Sequence, residues 1–397
     1  MVSPTTWPAI GWQERPWTPR IAPELVSSAV RRRHAGPYRA AVVPCIAKLT
    51  PTIPSDVLAA ADDATADIAR FDAELGAEVA PFASVLLRSE SASSSMIESL
   101  TAGARAIALA ELGSTEKRNA TEIVGNVAAM RAALELAEQL DGTAIIAMHA
   151  ALLGTVDPAM TGRWRTDQVW IGGTSFGPHA ASFVPPHHEH VPALMDDLVR
   201  FTQKTDLPLL VQAALAHAQF ETIHPFPDGN GRTGRALVHA MLRGHGLTRN
   251  VTVPVSAGLL TDTAGYFDTL TAYRDGDPAP IVAKLADASV AAIANGRQLV
   301  AELRATRASW SDTVTARKGA ITWRLADLLV RQPVVDAATV AAELDLAPQN
   351  AHRAIAPLVA VGVLTEFTGF KRNRLWQAPE ILAALDDFAA RAGRRAR

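Results

Sequence analysis

The chain has 397 residues, enough for two or three domains with cores of their own. Its 48% hydrophobic and 20% charged residues are the balance of a soluble globular protein, and a formal net charge of −2 argues against one that coats nucleic acid or membrane wholesale. Cys45 is the only cysteine, which excludes an intramolecular disulfide and a Cys-rich zinc site and fits a reducing, cytoplasmic setting.

Met1 to Trp17 has no basic segment leading into an apolar one, so no signal peptide is expected there. No apolar run reaches the ~18 residues of a membrane span. The first fifty residues are rich in Pro and Trp and read as irregular. Helical spacing begins at Ser55–Leu75, with Ser55 as N-cap. A second helix is expected over Pro81–Arg88, then a Ser-rich hinge, then a third helix from Ser95 to Glu111. Thr115–Leu140 reads as one long amphipathic helix and Thr143–Leu153 as another. Val169, Ile171 and Val184, set among glycines and prolines between Thr166 and Pro186, predict a β-hairpin with a loose tip. Helices return at Val191–Lys204, Pro208–Thr222, Gly231–Gly246 and from Thr263 to about Thr306. A linker or connecting helix is placed at 309–319. Beyond it, helices Ile321–Arg331, Ala337–Leu344 and Pro348–Val361 precede two β-like segments, Val363–Phe367 and Arg374–Gln377. Three helices and a basic hairpin form the pattern of a winged helix-turn-helix.

The stretch that carries chemistry is Ile223-His224-Pro225-Phe226-Pro227-Asp228-Gly229-Asn230-Gly231-Arg232-Thr233-Gly234-Arg235. It lies between two helical runs, so His224 sits at a helix exit and Gly231 near the next helix start. Backbone N–H groups at Gly229, Asn230 and Gly231 would cradle phosphate oxygens. Arg232 and Arg235, three apart, project from one side of the first turn and suit a polyphosphate. Asp228 offers a carboxylate of the kind Mg²⁺ uses beside phosphates. An imidazole such as His224, with an ordinary pKa near ~6.5, can take a proton from an attacking hydroxyl at neutral pH. Together these residue types describe phosphoryl or nucleotidyl transfer.

The same stretch resembles the Fic/Doc family, whose signature H-x-F-x-[D/E]-G-N-G-R-x-x-R is matched by His224, Phe226, Asp228, Gly229, Asn230, Gly231, Arg232 and Arg235. The resemblance implies a mainly α fold, a Fic-type helical core with a small β-hairpin flap, followed here by the winged helix-turn-helix. It implies transfer of AMP from Mg·ATP to a protein hydroxyl, with His224 as base, Asp228 holding Mg²⁺, and ATP on Gly229, Asn230, Gly231, Arg232 and Arg235. Phe226 becomes a core anchor. Val169, Trp170, Ile171 and Gly172, with Phe183 to Pro186, resemble the flap to which a target segment adds as a strand. Tyr266 and Arg274-Asp275-Gly276-Asp277 resemble the helix that closes the nucleotide pocket.

Ser94-Ser95-Met96-Ile97-Glu98 has two readings. Ser95-x-x-Glu98 is a capping box at a helix start. Ser94-x-x-x-Glu98 also resembles the inhibitory [S/T]-x-x-x-E-[G/N] motif of class II members, with Ser99 where the family has Gly or Asn. The resemblance then implies that Glu98 pairs with Arg235 and keeps ATP from sitting productively.

Other features are weighed as structure. Gly229-x-Gly231-x-x-Gly234 lacks the preceding strand and following acid of a dinucleotide fingerprint. His187-His188-Glu189-His190 reads as a solvated helix start, Tyr38 with Arg39 as local packing, and Cys45 as a small buried hydrophobe. In the C-terminal module, Gln349, Asn350, His352 and Arg353 lie on the second helix of the turn, Lys371, Arg372 and Arg374 on the wing. Basic residues outnumber acidic ones from Lys318 onward, which leaves DNA binding open beside a docking or dimer role.

The expected organisation is an N-terminal helical region with the inhibitory helix (1–114), a catalytic core (115–308), a linker (309–319) and a winged-helix domain with a basic tail (320–397). The partners expected are a target protein, DNA through the winged helix, and a second copy in a homodimer; no membrane is expected. Two further reactions fit the same residues: removal of AMP by water held at Glu98, and phosphate transfer from a reversed nucleotide. A DNA-binding regulator that only senses nucleotide is the competing class.

Overall fold

A computed structural model describes residues 7–19, 27–76, 79–369 and 373–393. The chain is mainly helical, with small antiparallel sheets, and divides into two compact units. One comprises Met1–Asp62, Ala132–His245 and Ala264–Leu285; the other comprises Asp63–Arg131, Gly246–Thr263 and Ala286–Arg397.

The first unit is built around the helix Leu209–Ile223, which packs against Asn230–Gly244 and Val191–Thr202, while Gly142–Leu153 lies on Asn230–Gly244. Every residue from Leu210 to Ile223 is buried. A helix enclosed on all sides has no use for a polar face, which is why this stretch is so rich in Leu and Ala. Each fully buried Leu or Phe contributes roughly 1.5–3 kcal/mol. The helix stops because Pro225 disfavours a helical residue before it.

The Pro- and Trp-rich start is more ordered than its composition predicts. Gly11–Arg15 pairs antiparallel with Tyr38–Val42, in register from Gly11↔Val42 to Arg15↔Tyr38. Tyr38, Ala40 and Val184 form a small core with Trp17 and Trp170 packed against it. Tyr38 is structural, its hydroxyl donating to Gln168 Oε1. The flap, conversely, is less regular than a hairpin: only the isolated bridges Ile171↔Phe183 and Thr174↔Gly177 form. Gly172 and Gly173 at positive φ break the extended geometry that a ladder requires. Cys45 is exposed rather than buried, because its neighbours Ile46 and Ala47 turn their N–H groups onto Asp197.

In the second unit the Ser-rich hinge is absent: Val79–Ile97 is one helix, and a separate helix follows at Ala104–Glu111. The serines are accommodated because their hydroxyls bond back into the helix, Ser91 Oγ to Leu87 O and Ser95 Oγ to Ser91 O. Ser95 therefore lies in a last turn, and the capping-box reading of Ser95 and Glu98 does not hold. The long helix expected to end at Leu140 is Arg118–Glu135, followed by a 3-10 turn at Ala137–Gln139.

The helix Ala279–Thr313 runs into the expected linker. Beyond it come helices Ile321–Arg331, Ala337–Glu343 and Pro348–Ala360 and a three-stranded antiparallel sheet. Leu375–Gln377 is its middle strand, between Val334–Asp336 and Thr365–Glu366. A last helix, Pro379–Ala392, stands where only a basic tail was expected. Ile381, Leu382, Leu385 and Phe388 are its buried stripe.

Candidate active site

The loop from Ile223 to Asn230 is held in a conformation that its own residues would not adopt alone. His224 caps the Leu209–Ile223 helix in left-handed backbone, φ 52 and ψ 63, its N–H on Phe220 O at 2.8 Å. A β-carbon makes that region costly for an L-residue, by roughly 1–3 kcal/mol, and such strain persists only where surroundings impose it. Phe226 is fully buried, with His149 stacked flat on it and Trp164 tilted against it at 5.1 Å. Asn230 closes the turn: its Oδ1 accepts from Phe226 N at 2.8 Å and its Nδ2 donates to Phe226 O at 2.9 Å. Gly229, at φ 75, opens the Asn230–Gly244 helix. A helix leaves its first N–H groups without carbonyls of its own, and with the dipole they favour an anion.

Charge around His224 is arranged to keep the imidazole neutral. Burial, then the nearby Arg165 and Arg274 guanidinium groups, push its pKa down to about 3. Glu221 Oε2 is 3.7 Å from its Nδ1, and that nitrogen is buried. The His224 side chain is otherwise 18% exposed. Arg232 and Arg235 are both 3% exposed, whereas the Asp228 side chain is 65% exposed, with Arg232 Nη2 at 3.5 Å from its Oδ2. A carboxylate this open, beside a helix N-terminus, fits a Mg²⁺ ion that keeps most of its waters.

His224, Asp228, Gly229, Asn230, Gly231, Arg232 and Arg235 thus converge on one helix junction. The Asn230 side chain is engaged by the Phe226 backbone. Tyr266 is fully buried with its hydroxyl on His217 Nε2 at 2.7 Å, a core position rather than a pocket wall. In the flap, Ile171 exchanges backbone bonds with Phe183, Trp170 Nε1 donates to Thr174 O and its ring meets Trp17, while Val169 O accepts from Gln168. His187 and Glu189 engage Arg15.

In the second unit Ser94 is buried in the Val79–Ile97 helix and Glu98 is exposed just past its end. Ser99 has φ 64, Ser99 N bonds Met96 O and Leu100 N bonds Ser95 O. That is a complete Schellman closure, with serine at the left-handed position that the family motif gives to Gly or Asn. In the C-terminal module Gln349, His352 and Arg353 are exposed on one face and Asn350 is half-buried. Arg374 pairs with Glu366 at 2.8 Å; Lys371 and Arg372 lie outside the described residues. Sequence reasoning missed His149, Arg165 and Glu221, which pack on the motif from positions with no recognisable spacing to it.

Residues 139–242 match the model of the Fic/DOC family. That segment is similar to a Fic/DOC domain. It is 34% identical over 152 residues to the protein adenylyltransferase fic-1 of Caenorhabditis elegans and 33% identical over 172 residues to the protein adenylyltransferase Fic of Drosophila melanogaster. Those alignments cover 38% and 42% of this chain but only 27% and 32% of the relatives, so the chain spans about a third or less of each. A crystallised Fic family protein from Desulfovibrio desulfuricans superposes with a TM-score of 0.50 at 20% identity, over 82% of this chain and 97% of its own. That likeness extends the shared fold well beyond the Fic/DOC segment.

Proposed function

We propose that this chain transfers AMP from Mg·ATP to a hydroxyl group on another protein. The observation that carries the reading is the neutral His224 imidazole at the head of a helix N-terminus flanked by Arg232 and Arg235. The activity named for the fic-1 and Fic relatives supports it.

In this reading the phosphates of ATP lie over Gly229–Gly231, with the arginines on the outer ones. Asp228 would hold Mg²⁺, which when bound neutralises phosphate charge. The target hydroxyl is brought up by the flap around Ile171 and gives its proton to Nε2 of His224. Its oxygen bonds to the α-phosphorus as the bond to the bridging oxygen breaks, and pyrophosphate leaves. Mass spectrometry of target proteins from a lysate treated with ATP and Mg²⁺ is the test. AMP adducts with the α-label retained and the γ-label lost support the proposal; retention of γ-label assigns phosphate transfer instead.

Glu98 is proposed as the inhibitory residue. A carboxylate just past a helix C-terminus is misplaced for that helix's dipole, a cost that makes sense if it serves an arginine. A second partner is proposed for the Pro348–Ala360 helix, whose exposed Gln349, His352 and Arg353 suit a DNA groove. Salt-dependent binding to duplex DNA tests it. Among the described residues no helix is long and apolar enough to cross a membrane; the single cysteine favours a reducing, cytoplasmic setting.

A further inference from the structure

We infer that Arg165 is a positioning residue that ties the two feet of the flap to the backbone of the base. The inference rests on His224 acting as proposed.

Arg165 is 3% exposed and lies in the irregular segment before the flap. Three consecutive carbonyls of the motif loop accept from it. Its Nε donates to His224 O at 2.8 Å, its Nη2 to Ile223 O at 3.4 Å, and its backbone N–H to Pro225 O at 2.9 Å. The same guanidinium reaches the flap: Nη1 donates to Asp167 O at 2.9 Å, on the outgoing side, and Nη2 to Pro186 O, on the returning side. The Ile171↔Phe183 bridge closes the segment between those two feet. One planar cation therefore closes a ring: flap foot, base, flap foot.

This geometry explains the left-handed His224. Turning the backbone at that residue aims the carbonyls of Ile223 and His224 at the Arg165 side chain and that of Pro225 at its backbone N–H. The strain at His224 is offset by charge-assisted hydrogen bonds. Four side-chain bonds to carbonyls arriving from three directions call for a rigid fork of donors. Lysine has the charge without the fork. A shift of either foot, as when a target segment joins the flap, is transmitted to the His224 carbonyl through two bonds of one rigid group.

A merely structural arginine would influence stability alone. A positioning arginine also influences the imidazole. The charged groups that act on His224 are Glu221 on its own helix, 3.7 Å from Nδ1, Arg274 from the Thr263–Arg274 helix, and Arg165 itself. Of the cations, Arg165 and Arg274 are those that disfavour its protonation. Losing Arg165 should let His224 titrate at higher pH.

The experiment compares the full chain carrying Glu98→Gly with the same chain also carrying Arg165→Lys or Arg165→Ala. Expected in Arg165→Lys is a fall in kcat of about 100-fold, the scale of an ångström-sized misplacement, with KM for ATP changed less than about threefold. In Arg165→Ala the imidazole signal of His224, followed by NMR, should titrate above its position in the parent, and added guanidinium should restore part of kcat. An unchanged kcat in the lysine variant, or a His224 titration that does not move in the alanine variant, would overturn the inference. Should the alanine variant fail to fold, exchange of the Arg165 Nε–H in the unsubstituted protein decides. Protection for hours is expected, and exchange at the solvent rate contradicts the ring. The NMR readings need no turnover, so a chain that transfers no AMP would sink the proposed function and leave this inference tested separately.

Discussion

The imidazole of His149 lies parallel to the ring of Phe226, centroids 3.8 Å apart with 2° between the planes, and its Nε2 meets the Asp228 carbonyl at 3.0 Å. One side chain thus seats the motif's aromatic anchor and fixes the residue proposed to hold the metal. Burial keeps His149 below the usual histidine range, so it is neutral and Nε2–H is the donor.

Replacing it separates those two jobs. His149→Phe keeps a ring against Phe226 and leaves the Asp228 carbonyl without its donor. The expected cost is about 1–3 kcal/mol, read by urea denaturation, with kcat reduced and the ATP requirement for Mg²⁺ raised. Unchanged stability and kcat would show that the bond is incidental.

Ser99 holds a left-handed backbone that glycine adopts without strain. Ser99→Gly should stabilise the second unit by about 1 kcal/mol through its Schellman closure. Ser99→Val, β-branched, should destabilise it by at least as much. Thermal unfolding ranks the three proteins; Gly below wild type would contradict the assigned cap.

Gly229 is at φ 75, and a β-carbon there would come within 2.7 Å of Leu152 Cδ2. Leu152 can shift, so the larger effect of Gly229→Ala is a twisted cradle. ATP affinity should fall at least tenfold in calorimetry while the melting temperature drops by only a few degrees. An alanine variant that binds ATP normally would show that the loop N–H groups do not hold the phosphates.

Acid should unfold the protein through its histidines. His217 and His224 are pushed down to about 3, mainly by burial, and His149 is also lowered. The unfolded chain takes up protons below pH ~6.5, while the folded chain refuses them at His217 and His224 until about pH 3. The neutral-histidine contribution is therefore whole above ~6.5 and lost as pH falls through that window. Each such histidine steepens the loss by up to about 1.4 kcal/mol per pH unit. Denaturation of wild type and His217→Gln between pH 7 and 4 should show the shallower slope in the variant; parallel curves would contradict it.

The helix junction from His224 to Arg235 was legible because its chemistry is contiguous: base, carboxylate, glycine turn and arginines follow one another in the chain. The Ile321–Arg331 helix was legible from its apolar stripe alone. The strand pair Gly11–Arg15 and Tyr38–Val42 was not, since a long connection hides the register and no tight-turn residues announce it. The serines before Glu98 misled because their hydroxyls can satisfy a helix's own carbonyls as readily as break it. Arg165 and His149 were invisible for another reason: each acts through carbonyl groups, which leave no trace in the identity of the residues they belong to.

The central claim, that this is an AMP transferase restrained by Glu98 and driven by His224, is tested most directly by labelling with α-³²P-ATP and Mg²⁺. Wild type, Glu98→Gly and Glu98→Gly/His224→Ala are compared on the protein itself and on a lysate. Label that rises by about 100-fold in Glu98→Gly, the effect of relieving a ~3 kcal/mol bias, and disappears in the double variant is the predicted result. Label that persists without His224, or none from any of the three while ATP still binds, would contradict it.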